Sequence, residues 1–399
     1  MSFRAYLLSI TVLVTAVFDV QTFAPAQTID FAAWKDAQNA DAVPDWVQRA
    51  LPRSFRDLTG TPREELLSKT LSALKEIAAD SDVVPSTRYN VILAIGQLEL
   101  MPGNPPVAYP NALTSLVDVY QDEDFPYYLK YGALLGIVRH TLLGLDPAKR
   151  DEVIDLLLET VATEITLRAA PLEPEVWNWF RLTALDGLTA LKTVGENGRV
   201  VKELLAVIND KSQELDDLSR RQNILTREHW KQASLAIELA SKAAKTLGDL
   251  DYRSATNIDI TAMTDAFIAL TKAVCAVTSN MAEATIEREV APINPAMLKE
   301  RIVVKVKMAT HSVVWGMRGG LLTSRPSESS FYTLLEGNDP AVERLNVLMS
   351  EIVELTTFFD EGEVARRSAV AANHPKEFRF DLSDLRDALI KCSEAIDRK

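Results

Sequence analysis

The acidic stretch DVYQDEDF at 118–125 is the densest group of potential metal ligands in the sequence. Ca²⁺ takes roughly six to eight oxygen ligands, and carboxylates this close together could supply several of them. The stretch lacks the D-x-D-x-D-G order of a calcium-binding loop, and Asp122 and Asp124 are typical of a solvent-exposed loop with a helix cap. The sequence therefore predicts no metal site here.

Other residue types that support catalysis lack the spacing that catalysis needs. The histidines are far apart and share no ligand spacing; they are His140, His229, His311 and His374. The sequence contains no HExxH, CxxC, GxGxxG, GxSxG or phosphate-binding GxxxxGK[ST] motif. His140 lies in a helical pattern, where we expect a helix-edge residue and not a ligand. We therefore predict no metal and no cofactor.

Carboxylates remain the one class of side chain that could form a catalytic pair. Glycoside hydrolases use two of them, about 5–10 Å apart, and bind the sugar against aromatic rings. The stretch WNWF at 177–180 is the nearest approach to such a platform, and the length of the chain and its six tryptophans fit an all-helical toroidal carbohydrate-active enzyme. Its aromatic residues, however, occupy helix-interior positions, where rings usually serve packing. This enzyme class stays as the alternative to a non-catalytic function.

Cys275 and Cys392 are the only cysteines in the sequence. Both lie inside apolar helical patterns, so we expect two buried free thiols. An oxidising compartment would also permit a disulfide between them. Sequence alone does not bring two α-carbons within bonding reach, and the pairing stays open.

The first 26 residues predict a secretory signal peptide. Arg4 supplies a positive start, residues 5–18 form an apolar core, and Ala24 with Ala26 make an A-x-A cleavage site. The apolar run is shorter than the roughly 20 residues that span a bilayer. We expect a mature chain that starts at Gln27, is exported to the periplasm or the exterior, and has no transmembrane segment after cleavage.

The composition indicates a globular protein and argues against one class of partner. Apolar residues make up 47% of the chain and charged residues 25%, with a net charge of −13. Nucleic-acid phosphates would repel an acidic chain of this kind. The basic residues between 299 and 318 scatter around the helical wheel and form no stripe. We predict no nucleic-acid partner.

Helical patterns recur along the first half of the chain. The segment RYNVILAIGQL at 88–98 returns as KYGALLGIVRH at 130–140 and as WFRLTALDGL at 179–188, with a weaker version that begins at Trp230. The aromatic residues of the four versions are Tyr89, Tyr131, Trp179 and Trp230. The preceding helices carry apolar pairs with i, i+3 spacing, which places both members on one helical face; they are Leu74–Ile77, Leu116–Val119, Leu158–Val161 and Leu205–Ile208.

Two helices per unit, a period near 42 residues and a second helix that is apolar on several sides resemble HEAT or armadillo-like repeats over roughly 61–246. The resemblance implies an all-α fold, a right-handed stack of antiparallel helix pairs known as an α-solenoid. We predict an N-terminal segment at 27–60 that packs on the first repeat, repeats over 61–250, and a C-terminal helical bundle over 251–399.

Three local features add detail to this prediction. Thr61-Pro62-Arg63-Glu64 matches a capping box, in which Thr61 and Glu64 satisfy free amides at a helix start. The apolar segment 260–281 contains Asp265 and Lys272, whose charges favour a core helix over a membrane span. The strand-like residues 302–307 lie within a longer helical pattern, so we expect helix there as well.

These observations favour a non-catalytic exported scaffold that binds a protein or a cell-envelope component. The candidate contact lies in WGMRGGLLTSRPSESSFYTLL at 315–335. Three glycines beside Trp315 and Arg318 suggest a helix end or a close backbone approach. Phe331 and Tyr332 follow a serine-rich loop and would anchor a partner if exposed. The alternative is that these aromatic residues fold back into the core. The oligomeric state stays open.

Overall fold

The computed structural model describes residues 55, 58–162, 166–167, 170–171, 173–221, 227–253, 255–287, 295–321, 323–371 and 380–397. The predicted signal peptide, most of the segment 27–60 and His374 lie outside the described residues. Among the residues before the first long helix, Phe55 is buried.

Twelve α-helices make up most of the described chain. They are α1 (Thr61–Ala79), α2 (Pro85–Gly96), α3 (Pro110–Gln121), α4 (Tyr127–Leu143), α5 (Pro147–Ala162), α6 (Pro174–Leu191), α7 (Arg199–Ser219), α8 (Arg227–Asp249), α9 (Ile260–Glu287), α10 (Pro295–Arg318), α11 (Asp339–Ala371) and α12 (Leu382–Asp397). Short 3₁₀ turns occur at Glu196–Gly198 and Phe331–Leu335. The prediction of an all-α fold is confirmed, and residues 302–307 are helical.

Two short antiparallel strand pairs, which the sequence did not predict, lie in the loops. β1 (Glu99–Met101) pairs with β2 (Val107–Ala108) between α2 and α3. β3 (Thr166–Leu167) pairs with β4 (Ala170–Pro171) between α5 and α6. Each strand has two or three residues, too few to show the alternating pattern that identifies strands in a sequence.

Consecutive helices pack as six pairs. The pairs are α1 with α2, α3 with α4, α5 with α6, α7 with α8, α9 with α10, and α11 with α12. The second helix of each of the first five pairs also contacts the second helix of the next, in the series α2, α4, α6, α8 and α10. On the other side, α5 contacts α7, α7 contacts α9, and α9 contacts α12. Buried side chains from all twelve helices form one hydrophobic cluster. This cluster is continuous across residue 250, where we predict a boundary between repeats and bundle.

The apolar pairs that define the first helix of each predicted repeat are all buried. Their members are Leu74, Ile77, Leu116, Val119, Leu158, Val161, Leu205 and Ile208. The i, i+3 spacing therefore identified the core face of α1, α3, α5 and α7 correctly.

The aromatic position of the predicted repeat is less regular than its leucines. In α6 the core aromatic residues are Trp177 and Phe180, while Trp179 between them is half-buried. The Phe180 ring lies 5.1 Å from that of Tyr131 and 6.4 Å from that of Tyr120, measured between centroids. Consecutive helical residues point about 100° apart, so a shift of one position moves a ring to another face. Phe180 links α6 to the preceding pairs through these ring contacts.

The capping box predicted at the start of α1 is not formed by the described residues. Gly60 takes the cap position with a positive φ of 58°, and its carbonyl oxygen accepts the first helical hydrogen bonds from the amides of Arg63 and Glu64. Arg63 turns inward and is 4% exposed. Its guanidinium donates to the carbonyls of Glu99 at 2.7 Å and Leu100 at 2.6 Å. The arginine thus ties α1 to β1, a role that the sequence pattern did not indicate.

Helix α9 is, among the described residues, the one helix long and apolar enough to cross a membrane by length and composition. In its most apolar window 56% of the residues are buried inside the protein. The two charged residues in its apolar stretch are paired: Asp265 with Arg344 at 2.6 Å, and Lys272 with Asp397. Such pairing suits the predicted core helix, which packs against α7, α10 and α12.

Glycines allow close backbone contact where second helices cross. A Cβ atom added to Gly96 of α2 would lie 2.8 Å from the Cα of Gly136 in α4. A Cβ atom on Gly248 of α8 would lie 2.0 Å from the Trp315 carbonyl oxygen, and one on Gly316 would lie 2.5 Å from the Ala244 carbonyl oxygen. All three distances are shorter than the contacts that real Cβ atoms make. The α8–α10 crossing therefore depends on glycine from both helices, and it fixes the position of Trp315.

His140 on α4 is buried, which corrects the prediction of a helix-edge residue. Only 2% of its surface is exposed, and its Nε2 atom finds no hydrogen-bond partner among the described residues. Burial and the neighbouring charge of Arg139 lower the pKa of His140 to about 4. The side chain is therefore held neutral in the folded protein.

This burial predicts a loss of stability in mild acid. The folded pKa lies below the unfolded value near 6.5, so the unfolded chain gains the proton first as the pH falls. The contribution is fully present above about pH 6.5, and we expect about 3 kcal/mol to be lost between pH 7 and pH 4. Urea unfolding of the wild type and His140→Phe at several pH values measures the difference. His311→Gln, at an exposed position, controls for the replacement of a histidine. A slope in His140→Phe equal to that of the wild type would contradict the assignment.

Candidate binding surface at the end of helix α10

The end of α10 is set by glycine. Gly319 has a φ of 62°, and its amide donates to the Trp315 carbonyl at 2.7 Å, which closes the last turn. The following loop folds back, because the Ser327 amide donates to the Arg318 carbonyl at 2.7 Å. The sequence offered two explanations for the glycine cluster, and each holds for a different residue: Gly316 allows a close backbone approach and Gly319 ends the helix.

Trp315 is half-buried and fixed by α8. Its indole Nε1 donates to Asp249 Oδ1 at 2.8 Å. The ammonium of Lys245 lies 4.5 Å from the centre of the ring and pairs with Asp249 at 3.0 Å. These contacts join the ring, the cation and the carboxylate in one unit. The orientation of the Trp315 side chain is therefore fixed.

Arg318 and Tyr332 form the outer part of the same surface. The Arg318 Nη2 donates to the Ser324 carbonyl at 2.6 Å, and its guanidinium carbon lies 6.0 Å from the centre of the Tyr332 ring. Tyr332 is 43% exposed. Trp315 and Arg318 are one helical turn apart and lie on one side of α10. The three side chains border the end of α10, and we call them the α10-end surface.

Phe331, the fourth residue of the predicted contact, belongs to the core. It has no exposed surface, and its ring lies 6.2 Å from Phe267 and 6.4 Å from Tyr252, measured between centroids. Its burial holds the 3₁₀ turn in place and directs its neighbour Tyr332 outward. The structure therefore brings three of the four predicted residues to the surface and uses the fourth as an anchor beneath them.

A cavity of about 320 Å³ lies among α6, α7 and α8. It is lined by Pro174, Trp177, Asn178, Arg181, Lys211, Glu214, Glu228, Lys231, Gln232, Leu235, Ala236 and Leu239. The sequence pointed to part of it through the stretch WNWF, but the side chains from α7 and α8 are distant in the chain. Trp177 has only 6% of its surface exposed, so little of its face is open to stack on a sugar.

Several polar groups of this cavity already have protein partners. Glu214 accepts hydrogen bonds from Lys211 at 2.8 Å and from Gln232 at 2.9 Å. Lys231 pairs with Glu175 at 2.6 Å. A general acid in a glycosidase needs a carboxyl group that keeps its proton, usually in an apolar environment. Glu214 instead lies among polar side chains that hydrogen-bond to it, and Glu228 is exposed to solvent, so neither carboxyl group has an apolar environment.

The acidic stretch 118–125 forms the loop between α3 and α4. The Asp122 carboxylate accepts a hydrogen bond from the Asp124 amide at 2.9 Å, which is a local turn interaction. In the part of the chain that the structure describes, no group of three or more histidine, cysteine or acidic side chains is placed to hold a metal ion.

Relatives with a known role would give an independent route to function. The resemblance to HEAT-like repeats rests on the spacing of helices in the sequence. No family model, no curated protein and no solved structure matches this chain.

Proposed function

We propose that this protein is an exported, non-catalytic scaffold, built as a right-handed α-solenoid of HEAT-like helix pairs. We further propose that it binds another protein or a component of the cell envelope. The observation that carries the proposal is the serial contact of α2, α4, α6, α8 and α10, each with the next. Repeats that contact only their neighbours in this way present long surfaces to a partner.

The α10-end surface is the part of this scaffold with the chemistry of a contact site. Tyrosine and arginine are enriched among the residues that dominate binding energy at protein interfaces, as is tryptophan. Tyr332 is exposed, while Trp315 and Arg318 are already oriented by hydrogen bonds to Asp249 and Ser324. Side chains that are held in place before binding lose little conformational entropy when a partner arrives.

A carbohydrate-active enzyme is the second candidate, and the cavity that contains Trp177, Glu214 and Glu228 is the observation that favours it. Incubation of the purified protein with a panel of polysaccharides tests it directly. We expect no release of sugar. Release by the wild type that is abolished in Glu214→Gln would establish the enzyme and refute the scaffold.

We predict that Tyr332→Ala weakens partner binding without a change in stability. Removal of one exposed interface ring should cost about 1–2 kcal/mol, roughly tenfold in Kd. The protein bearing Tyr332→Ala would be tested by co-purification from an envelope fraction and then by titration with the captured partner.

Tyr127 on α4 offers a matched control for this variant. It is 41% exposed, against 43% for Tyr332, so Tyr127→Ala removes a similar ring from a distant helix. We expect wild-type capture from this control and wild-type melting temperatures from both variants. Equal loss of capture in both proteins would show that the α10-end surface has no special role.

A further inference from the structure

The two cysteines lie side by side in the folded protein, although they are 117 positions apart in the sequence. Cys275 in α9 is fully buried and Cys392 in α12 is 3% exposed, and both are free thiols. The Cys392 thiol is close enough to Cys275 to raise the pKa of its thiol, and the two helices that carry them pack against each other. The expected burial of both thiols is observed, and the structure adds their proximity, which sequence spacing could not supply.

A second contact gives the same register for the two helices. Lys272, three residues before Cys275, forms an ion pair with Asp397, five residues after Cys392. A position nearer the N-terminus of α9 therefore faces a position nearer the C-terminus of α12, so the two helices pack in antiparallel directions. In this register the two thiols lie within the interface between α9 and α12, and the ion pair lies about one helical turn away.

We propose that Cys275 and Cys392 form an intramolecular disulfide when the chain folds in an oxidising compartment, and that this bond fixes α12 to α9. The proposal rests on the export that is part of the proposed function, because cytosolic thiols are kept reduced. The oxidant is a small-molecule or protein disulfide. The thiolate of one cysteine attacks it and releases the first thiol, and the second cysteine then attacks the mixed disulfide and releases the second. Two cysteine thiols are oxidised and one external disulfide is reduced to two thiols, which take up the two protons.

The disulfide can form only before α12 has docked against α9. The neighbouring thiol and complete burial raise the pKa of Cys275, so the packed Cys275 holds little of the thiolate that exchange requires. Cys392, however, lies on the last helix of the described chain and is shielded only after that helix docks. Exchange therefore takes place during folding, and the docked helix afterwards protects the bond from reductants.

Refolding of the full chain in a glutathione redox buffer tests the proposal. The reduced, denatured protein is refolded with glutathione disulfide present, denatured again without reductant, and treated with a maleimide of high mass. We expect a monomer with no reactive thiol, and a higher urea midpoint for this oxidised form than for protein kept reduced. Two reactive thiols, or a disulfide that joins two chains, would overturn the proposal.

Variants and location separate this claim from the proposed function. Cys275→Ala and Cys392→Ala should each retain one reactive thiol or a glutathione adduct, and their urea midpoints should not respond to reductant. An oxidant-dependent rise in midpoint in either variant would overturn the disulfide. Fractionation of cells is a separate test: a protein that forms the bond on refolding but is recovered in the cytosol refutes export and not the cysteine pair.

Discussion

Gly248→Ala should destabilise the protein by about 3 kcal/mol or more, although alanine normally favours a helix over glycine by about 1 kcal/mol. The added methyl carbon would lie 2.0 Å from the Trp315 carbonyl oxygen. That oxygen is part of the α10 backbone and accepts the hydrogen bond that ends the helix, so no side-chain rotation relieves the clash. The two helices must separate, and the tight packing of the core transmits the displacement. Urea unfolding followed by circular dichroism measures the loss.

Gly337→Ala is the control for this substitution. Gly337 has a φ of 82° and no neighbouring atom within 4 Å of an added Cβ. Alanine there costs about 1 kcal/mol through backbone strain alone. A Gly248→Ala protein as stable as the wild type would mean that α8 and α10 do not cross at these glycines.

Phe331→Ala should destabilise the protein by about 3–5 kcal/mol. The ring is fully buried against Phe267 of α9 and Tyr252, so its removal leaves a cavity between helices that are otherwise in contact. Thermal and urea unfolding measure the effect. The turn that carries Tyr332 should also loosen, so partner binding should fall together with stability.

The adjacent residue provides the comparison. Tyr332→Ala removes a ring of similar size from an exposed position, and surface substitutions usually change stability by less than about 0.5 kcal/mol. If both variants lose several kcal/mol of stability, Tyr332 is part of the core. If neither variant loses stability, Phe331 is not part of the core. Only a large loss at 331 with a small one at 332 agrees with the structure.

Helix positions and core leucines were predictable because they depend on local periodicity. The helices predicted over 251–399 are present as α9 to α12, and the buried Leu74 and Ile77 follow the i, i+3 spacing of an amphipathic helix. The prediction of a capping box was wrong because a tetrapeptide pattern does not reveal that Arg63 has carbonyl acceptors in β1, 36 residues further along the chain.

The candidate surface could be predicted only in part. Clustered glycines next to Trp315 indicated a helix end and a close approach, and both occur. Sequence could not separate Phe331 from Tyr332, because both are aromatic and only the packing of Phe267 and Tyr252 determines which one is buried. The proximity of Cys275 to Cys392 depends on the distant pairing of α9 with α12, which has no local signature.

The central claim, a scaffold that binds a partner through the α10-end surface, is tested most directly by a photo-reactive phenylalanine at position 332. The same residue placed at Tyr127, which has nearly the same exposure, is the control. On irradiation of the cell-envelope fraction, we predict a discrete high-mass adduct from position 332 and none from position 127. No adduct from 332, or the same adducts from both positions, would contradict the claim.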